Sequence, residues 1–407
     1  MAQIPTLRAA VQTADIDAWV MLDFRGSNAI AWSALDIPAD THCSRRWAVV
    51  IPHDPTKPIE KIAHAIEHHT LDNVEGILSI YATRTEWQQA LKNIVERYPR
   101  IAIEYSPMNN LPVVSKVDAG TVEILRSFGA DISSSADIAQ RCSAVLTPKQ
   151  ITDNRTTALH LRRAMHHIMG YIREHLQSNT PITEYMAQQE VLRFFAEHGM
   201  VSSSKPDIAV NANAANPHYM PTEAHSSFIN QGDVILVDMW AKMLNETDSV
   251  YSDITWMAYA GTDIPERPAR LFAVLAQARN AVVSYLQDHL GKHDVRGCDL
   301  DQVSRSVVEQ AGYGSYFFHR TGHSITTQVH GSGANLDTYE THDTRLILPN
   351  TSFSIEPGIY IVGDIGLRSE IDIMVYEDYS FSITGGPGQE HIIPLLAENW
   401  ETYLGKV

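Results

Sequence analysis

Cysteine is scarce: Cys43, Cys142 and Cys298 lie far apart in 407 residues and form no CxxC pair. A disulfide framework or a thiolate zinc site therefore does not fit this chain. No Gly-rich phosphate loop follows any strand-like segment, which removes the usual nucleotide reading. Nowhere do about 20 apolar residues run together, and acidic side chains interrupt the region where a signal peptide needs an apolar run. A cytoplasmic protein without membrane contact is the expectation. Positive charge is also in deficit, with 31 Lys and Arg against 48 Asp and Glu and a formal charge of -17. Such a field repels a phosphate backbone, and no basic stripe opposes it, so nucleic acid is not an expected partner.

Hydrophobic residues make up 44% and charged residues 19%, which places the chain among ordinary globular proteins rather than disordered or coiled-coil ones. At roughly 150 residues per domain, two or three domains are expected. Residues 1–150 alternate strand-like runs (18–24, 47–52, 76–81, 101–105 and 129–133) with helical stretches at 57–69, 84–97 and 118–128, as in an α/β domain. The boundary falls near the polar segment LTPKQITDNRT. In residues 151–407, Ala158, Leu161, Met165, Ile168, Ile172 and Leu176 recur at the spacing of a long amphipathic helix. Thr183 is placed to cap a second helix, and a third spans about 267–289. The segments SKPDIAVN, DVILVDMWAK, SVYSDITWMAYAG, HSITTQVH, TSFSIEPGIYIV and GLRSEIDIMVYE read as strands, making this half α+β.

Asp238 sits inside the apolar run VILVDMW, on a strand where Leu236, Asp238 and Trp240 share one face. Asp253 in YSDIT, Glu356 in SFSIEPGIY and Glu370 in LRSEIDIMV repeat that situation. Buried carboxylates need a metal, a cation or several donors. Were Asp238, Asp253, His323, Glu356 and Glu370 to converge, four negative charges would balance two divalent cations. Carboxylates with one imidazole and no thiolate suit manganese, cobalt, iron or zinc. Two such ions about 3.5 to 4 Å apart can generate hydroxide near neutral pH and polarise a carbonyl. Taken singly, each acid is more often a salt-bridge or hydrogen-bond partner. His319 and His330 are singly more often structural, and Gly322, Gly358 and Gly366 read as turn residues.

Taken jointly, the blocks NANAANPHY, ILVDMW, YSDIT, HRTGHSITTQVH with FSIEPGIY, and GLRSEIDIMV resemble the M24 pita-bread metallopeptidases over residues 151–407. A smaller creatinase-type N-terminal domain before them is similar to the arrangement of Xaa-Pro aminopeptidases, Xaa-Pro dipeptidases and creatinase. The resemblance implies an α+β pita-bread domain preceded by an α/β domain, and a homodimer. It implies Asp238, Asp253, His323, Glu356 and Glu370 as ligands of two divalent ions, manganese foremost. A bridging hydroxide would attack the carbonyl before proline in a short peptide. Glu356 would shuttle its proton and His330 would stabilise the tetrahedral intermediate. His218 and His319 match substrate-lining positions, and Arg368 and Tyr360 match pocket or supporting positions.

The sequence departs from the family pattern in four places. The interval from Asp238 to Asp253 is longer than usual, so MLNETD is expected to enlarge a hairpin. Trp256 replaces an Arg, Gly331 an acid, and Ile371 an Asp or Asn. These changes touch the pocket rather than the metal ligands. The competing expectations are a hydrolase of a small non-peptide amide or amidine, as in ectoine-hydrolase-like or creatinase-like members, and a metal-free pita-bread binding protein. Because all five ligands are present, the last is disfavoured.

Overall fold

The computed structural model describes residues 4–244 and 248–405. The chain divides into two compact units, Met1–Ser143 and Ala144–Val407.

In the first unit six strands form one mixed sheet in the order Ile77–Tyr81, Glu60–His64, Arg46–Pro52, Ala18–Phe24, Arg100–Ile103, Asp131–Ser134. Its two middle strands are covered on both faces and nearly every residue is buried, which is why they read as unbroken apolar runs. The helix Arg84–Arg97 opens with a capping box between Thr83 and Glu86. One expectation fails: within 57–69 the chain forms the strand Glu60–His64 and a short 3-10 turn at His68–Leu71, not a helix. Glu, Lys and Ala favour helix locally. The open edge of Arg46–Pro52 captures the segment instead, with Ala48 opposite Ile62. Lys61 is buried there because its ammonium donates to the carbonyls of Leu71 (3.0 Å) and Val74 (2.7 Å).

In the second unit the long helix spans Pro148–Ser178, with Thr147 as its cap and Pro148 in its first turn. Thr183 caps Glu184–Glu197 by accepting from the Met186 amide, 3.1 Å. The helix Glu266–His289 follows the expected course. A further helix, Gly297–Gln310, has no counterpart among the sequence-based expectations because its first residue is a glycine and its apolar stripe is short. The apolar face of the long helix packs Leu161, Met165, Ile168 and Ile172 against Val237, Met239 and Trp256 of a five-stranded sheet.

In that sheet Val234–Met243 is central. Ser252–Tyr259 runs antiparallel on one side, and Asp207–Val210 and Met200–Val201 pair with it on the other. The segment MLNETD, expected to enlarge the hairpin, includes residues 245–247, which lie outside the described residues.

Two expected long strands are each split. TSFSIEPGIYIV becomes Ser352–Ile355 and Gly358–Ile361, and GLRSEIDIMVYE becomes Ile365–Arg368 and Ile371–Val375. The first halves and second halves belong to different sheets, so Glu356 and Glu370 stand where the chain crosses from one to the other. Pro357, which lacks an amide hydrogen, ends the first ladder beside Glu356. In HSITTQVH only Ser324–Ile325 is strand, and the rest forms a turn.

Candidate metal centre and substrate cavity

Antiparallel register places Asp207, Asp238 and Thr255 opposite one another across three strands, and Asp253 opposite Trp240. Directly opposed residues point to the same face, so three acids and a threonine share one wall. The crossover acids Glu356 and Glu370 and the loop residues His319, His323 and His330 complete a cavity of about 580 Å³. His218 and Arg368 also line it, with His218 exposed at its rim. Tyr360 does not line it. That side chain is fully buried behind the wall, between His319 Nε2 (2.9 Å) and Arg368 Nη1 (3.3 Å).

Gly322 brings His323 into place through close packing rather than a turn. A Cβ at Gly322 would lie 2.0 Å from the Ser354 carbonyl oxygen, so any other residue would push the histidine loop off the Ser352–Ile355 strand. Gly358 and Gly366 are likewise extended strand residues, not the expected turns. The acid replaced by Gly331 has no room, since its Cβ would meet Ser324 Oγ and Thr326 Cγ2 at 2.8 Å.

Burial pushes the His323 imidazole down to about 3 and His330 and His319 to about 4, so all three rings are neutral at physiological pH. His323 Nδ1 lies 3.2 Å from the Ser324 carbonyl and donates to it, which leaves Nε2 as a lone-pair atom. That lone pair faces Glu356 Oε1 at 3.2 Å and Asp253 Oδ2 at 3.8 Å. Asp253 Oδ1 and Glu370 Oε1 are buried without a hydrogen-bond partner. Ligand atoms of Asp253, His323 and Glu370 all fall within 4.8 Å of one another.

The Asp253 and Glu370 carboxyls stand well above their usual range, first from burial and then from neighbouring carboxylates. Asp238 is raised by burial as well, although Arg368 opposes the shift. Thr255 has a single hydroxyl proton, yet its Oγ1 lies 2.9 Å from Asp238 Oδ1 and 2.6 Å from Glu370 Oε2. A cluster made almost wholly of acceptors requires protons or cations among them. The donor set, one neutral imidazole and several carboxylates, fits hard to borderline divalent ions.

Several supporting residues are not among those the sequence pattern singles out. Asp372 accepts from the Asp253 amide (2.8 Å) and Ser252 Oγ (2.7 Å), fixing the backbone that carries Asp253. Burial raises its carboxyl to about 7. Its signal is present in the sequence, an acid inside the apolar run IDIMV like the other four. Thr255 joins Asp238 to Glu370 and receives Arg368 Nε at 2.9 Å. Glu184 accepts from the Val210 and Ser227 amides, Asn213 Nδ2 and the Tyr219 hydroxyl, and so anchors the segment bearing His218. Asp301 accepts from Thr321, Thr338 and Arg305 and holds the loop bearing His319 and His323. Both ring nitrogens of His319 are engaged, Nδ1 with the Arg320 carbonyl and Nε2 with Tyr360. Trp256, where the pattern has Arg, lies in the core with the Arg162 guanidinium 4.0 Å from its ring.

Residues 155–377 match the model of Metallopeptidase family M24, and the chain belongs to that family. Over 174 residues it is 31% identical to a putative dipeptidase, YkvY, of Bacillus subtilis, covering 43% of each chain. It is 29% identical over 196 residues to an Xaa-Pro dipeptidase of Lactobacillus helveticus, covering 48% of this chain and 49% of that one. The chain thus spans about half or less of the length of these relatives. The crystal structure of dipeptidase PepE from Mycobacterium ulcerans superposes with a TM-score of 0.64 over 96% of both chains at 19% identity. The second unit is accordingly an α+β pita-bread fold preceded by an α/β unit. No described helix is long and apolar enough to cross a membrane.

Proposed function

We propose that the chain is a dinuclear metal-dependent peptidase that hydrolyses the bond before proline in dipeptides or at the amino end of short peptides. The observation that carries this reading is the neutral His323 Nε2 lone pair facing carboxylate oxygens, with buried Asp253 and Glu370 oxygens unpaired beside it. Asp238, Asp253, His323, Glu356 and Glu370 would hold two divalent ions, manganese foremost, with cobalt, zinc or iron as substitutes. Bound ions of this kind supply Lewis acidity towards the scissile carbonyl and lower the pKa of the attacking water. Glu356, at the cavity edge of the cluster, takes the proton from that water and returns it to the leaving proline nitrogen. His330 lies edge-on to His323, with ring centroids 4.4 Å apart, and as a neutral imidazole it donates a hydrogen bond to the developing oxyanion. Arg368 and Thr255 orient Asp238. His319, with both nitrogens occupied, offers substrate its ring face. A cavity of about 580 Å³ has room for a di- or tripeptide.

The test strips metal from the purified chain, restores manganese, and measures proline release from Xaa-Pro beside release of the first residue from Xaa-Pro-Xaa. Cleavage that needs metal and falls roughly a thousandfold or more in His323→Ala supports the reading, since a Lewis acid contributes several kcal/mol to the barrier. The better of the two substrates fixes the length preference. No cleavage of either peptide with metal bound overturns the peptidase reading in favour of a small-amide hydrolase, and no metal binding favours a binding protein.

A further inference from the structure

One buried carboxylate lining the cavity is left over by the proposed reaction. Asp207 is only 5% exposed, lines the same cavity, and stands directly opposite Asp238 in the sheet. Its Oδ1 is buried with no hydrogen-bond partner. Arg368, whose charge partly offsets the cost of ionising Asp207, makes no hydrogen bond to it and spends Nε on Thr255, Nη1 on Tyr360 and Nη2 on Asp238. Nor does Asp207 belong to the compact donor group of Asp253, His323 and Glu370. Four other carboxylates already balance two divalent ions, so Asp207 is a further acid to which no described residue offers a counter-ion by hydrogen bond, and burial with the Asp238 carboxylate beside it holds its carboxyl well above the usual range.

Leaving a buried carboxylate unpaired is costly, and the chain bears that cost at a position facing substrate space. A partner arriving with the substrate would remove it. Trp240, two residues along from Asp238 on the same face, and Tyr219 line the same cavity, and aromatic walls favour a cation over a neutral polar group. We propose that Asp207 is a specificity-determining residue that receives a cationic nitrogen carried by the substrate residue on the amino side of the scissile bond. That nitrogen is either the ammonium or guanidinium of a basic side chain or the α-ammonium. In its kinetic form the proposal rests on the peptidase reading above.

The experiment uses the metal-loaded full chain and its Asp207→Asn variant, matched for metal content. Three substrates separate the two sources of charge: Lys-Pro, norleucyl-Pro with a neutral side chain of similar length, and hexanoyl-Pro, which also lacks the α-ammonium. For a basic side chain, wild type prefers Lys-Pro over norleucyl-Pro by about tenfold to a hundredfold, the range of one charge-assisted hydrogen bond, and Asp207→Asn erases the preference through KM with kcat nearly unchanged. For the α-ammonium, the preference that collapses in the variant is norleucyl-Pro over hexanoyl-Pro. If both preferences survive in Asp207→Asn, or wild type shows neither, the proposal is overturned.

A second measurement is independent of peptide cleavage. Calorimetry compares n-pentylamine with 1-pentanol as ligands of the same proteins. Amine binding that is at least about tenfold tighter in wild type than in the variant supports cation recognition even if no peptide is cut. Equal affinity for amine and alcohol in wild type overturns it whatever the variant does.

Discussion

Buried carboxylates occur in both units, and they are treated in opposite ways. In the first unit Glu104 is fully buried, but every direction around it holds a donor: Trp19 Nε1 at 2.7 Å, Asn28 Nδ2 at 2.7 Å and Ser135 Oγ at 3.0 Å. Glu184 and Asp301 in the second unit are enclosed by donors in the same way. Asp253, Glu370 and Asp207 are buried as well, yet each keeps an oxygen with no partner among the described residues. A protein able to satisfy Glu104, Glu184 and Asp301 with its own amides and hydroxyls leaves these three, which line the cavity, to something that arrives later, while Asp372, which does not line it, also keeps Oδ1 unpaired. Burial alone therefore does not distinguish a structural acid from a functional one, whereas the accounting of donors together with the lining of the cavity does.

Removing metal tests the contrast most strongly. Chelation should abolish peptide hydrolysis and lower the melting temperature of the second unit. Saturation at a hundred times Kd adds about 2.7 kcal/mol, or roughly 5 to 10 °C for a unit of this size. Calorimetry with and without restored manganese checks this, and an unchanged melting temperature would mean that no ion is held by the acids.

Next in size is Thr255→Val, which keeps the shape but deletes the hydroxyl between Asp238 and Glu370. Loss of such a supporting contact should cost about 10- to 100-fold in metal affinity or activity. Metal titration of the variant measures it, and an unaltered affinity would make Thr255 a packing residue.

The smallest effect belongs to Glu104→Gln, in which an amide NH₂ meets a donor that had faced an oxygen. A loss of about 1 to 3 kcal/mol in the first unit, with metal content unchanged, is the expected result. The pH dependence carries a sign. Burial raises the Glu104 carboxyl above its ordinary value, so between the unfolded and folded pKa the native chain holds the extra proton. Its contribution to stability is therefore present at acid pH and lost as pH rises through that window. Glu104→Gln should flatten the slope in a denaturation series across the window, and an identical slope would show that Glu104 does not titrate.

Much of the site is legible in the sequence. Asp238 is conspicuous as an acid inside the apolar run VILVDMW, the same signal marks Asp253, Glu356 and Glu370, and it is their joint occurrence that outweighs the salt-bridge reading of each alone. Asp372 carries that signal too, but as one acid in IDIMV it is overshadowed by Glu370 two residues earlier. Asp207 is not legible, because SKPDIAVN is polar enough for an aspartate to pass as an exposed strand end. Only its register opposite Asp238 reveals that it is buried. The helix expected over 57–69 fails because local propensity cannot see the unpaired edge of Arg46–Pro52. The two strands that read as continuous are split because sequence alternation does not record a change of sheet.

By itself the sequence determined what is local and periodic: the long helix with its apolar stripe, the cap at Thr183, the apolar strands, and which acids lie among them. Tertiary structure decided which of those acids have donors and which do not. That distinction depends on distances between residues such as Asp253, on a strand of the five-stranded sheet, and His323, 70 positions further along on the loop before Ser324–Ile325, which the fold brings to 3.8 Å. Side-chain chemistry is written along the chain, but the hydrogen-bond count of a buried oxygen is a property of its neighbours in space.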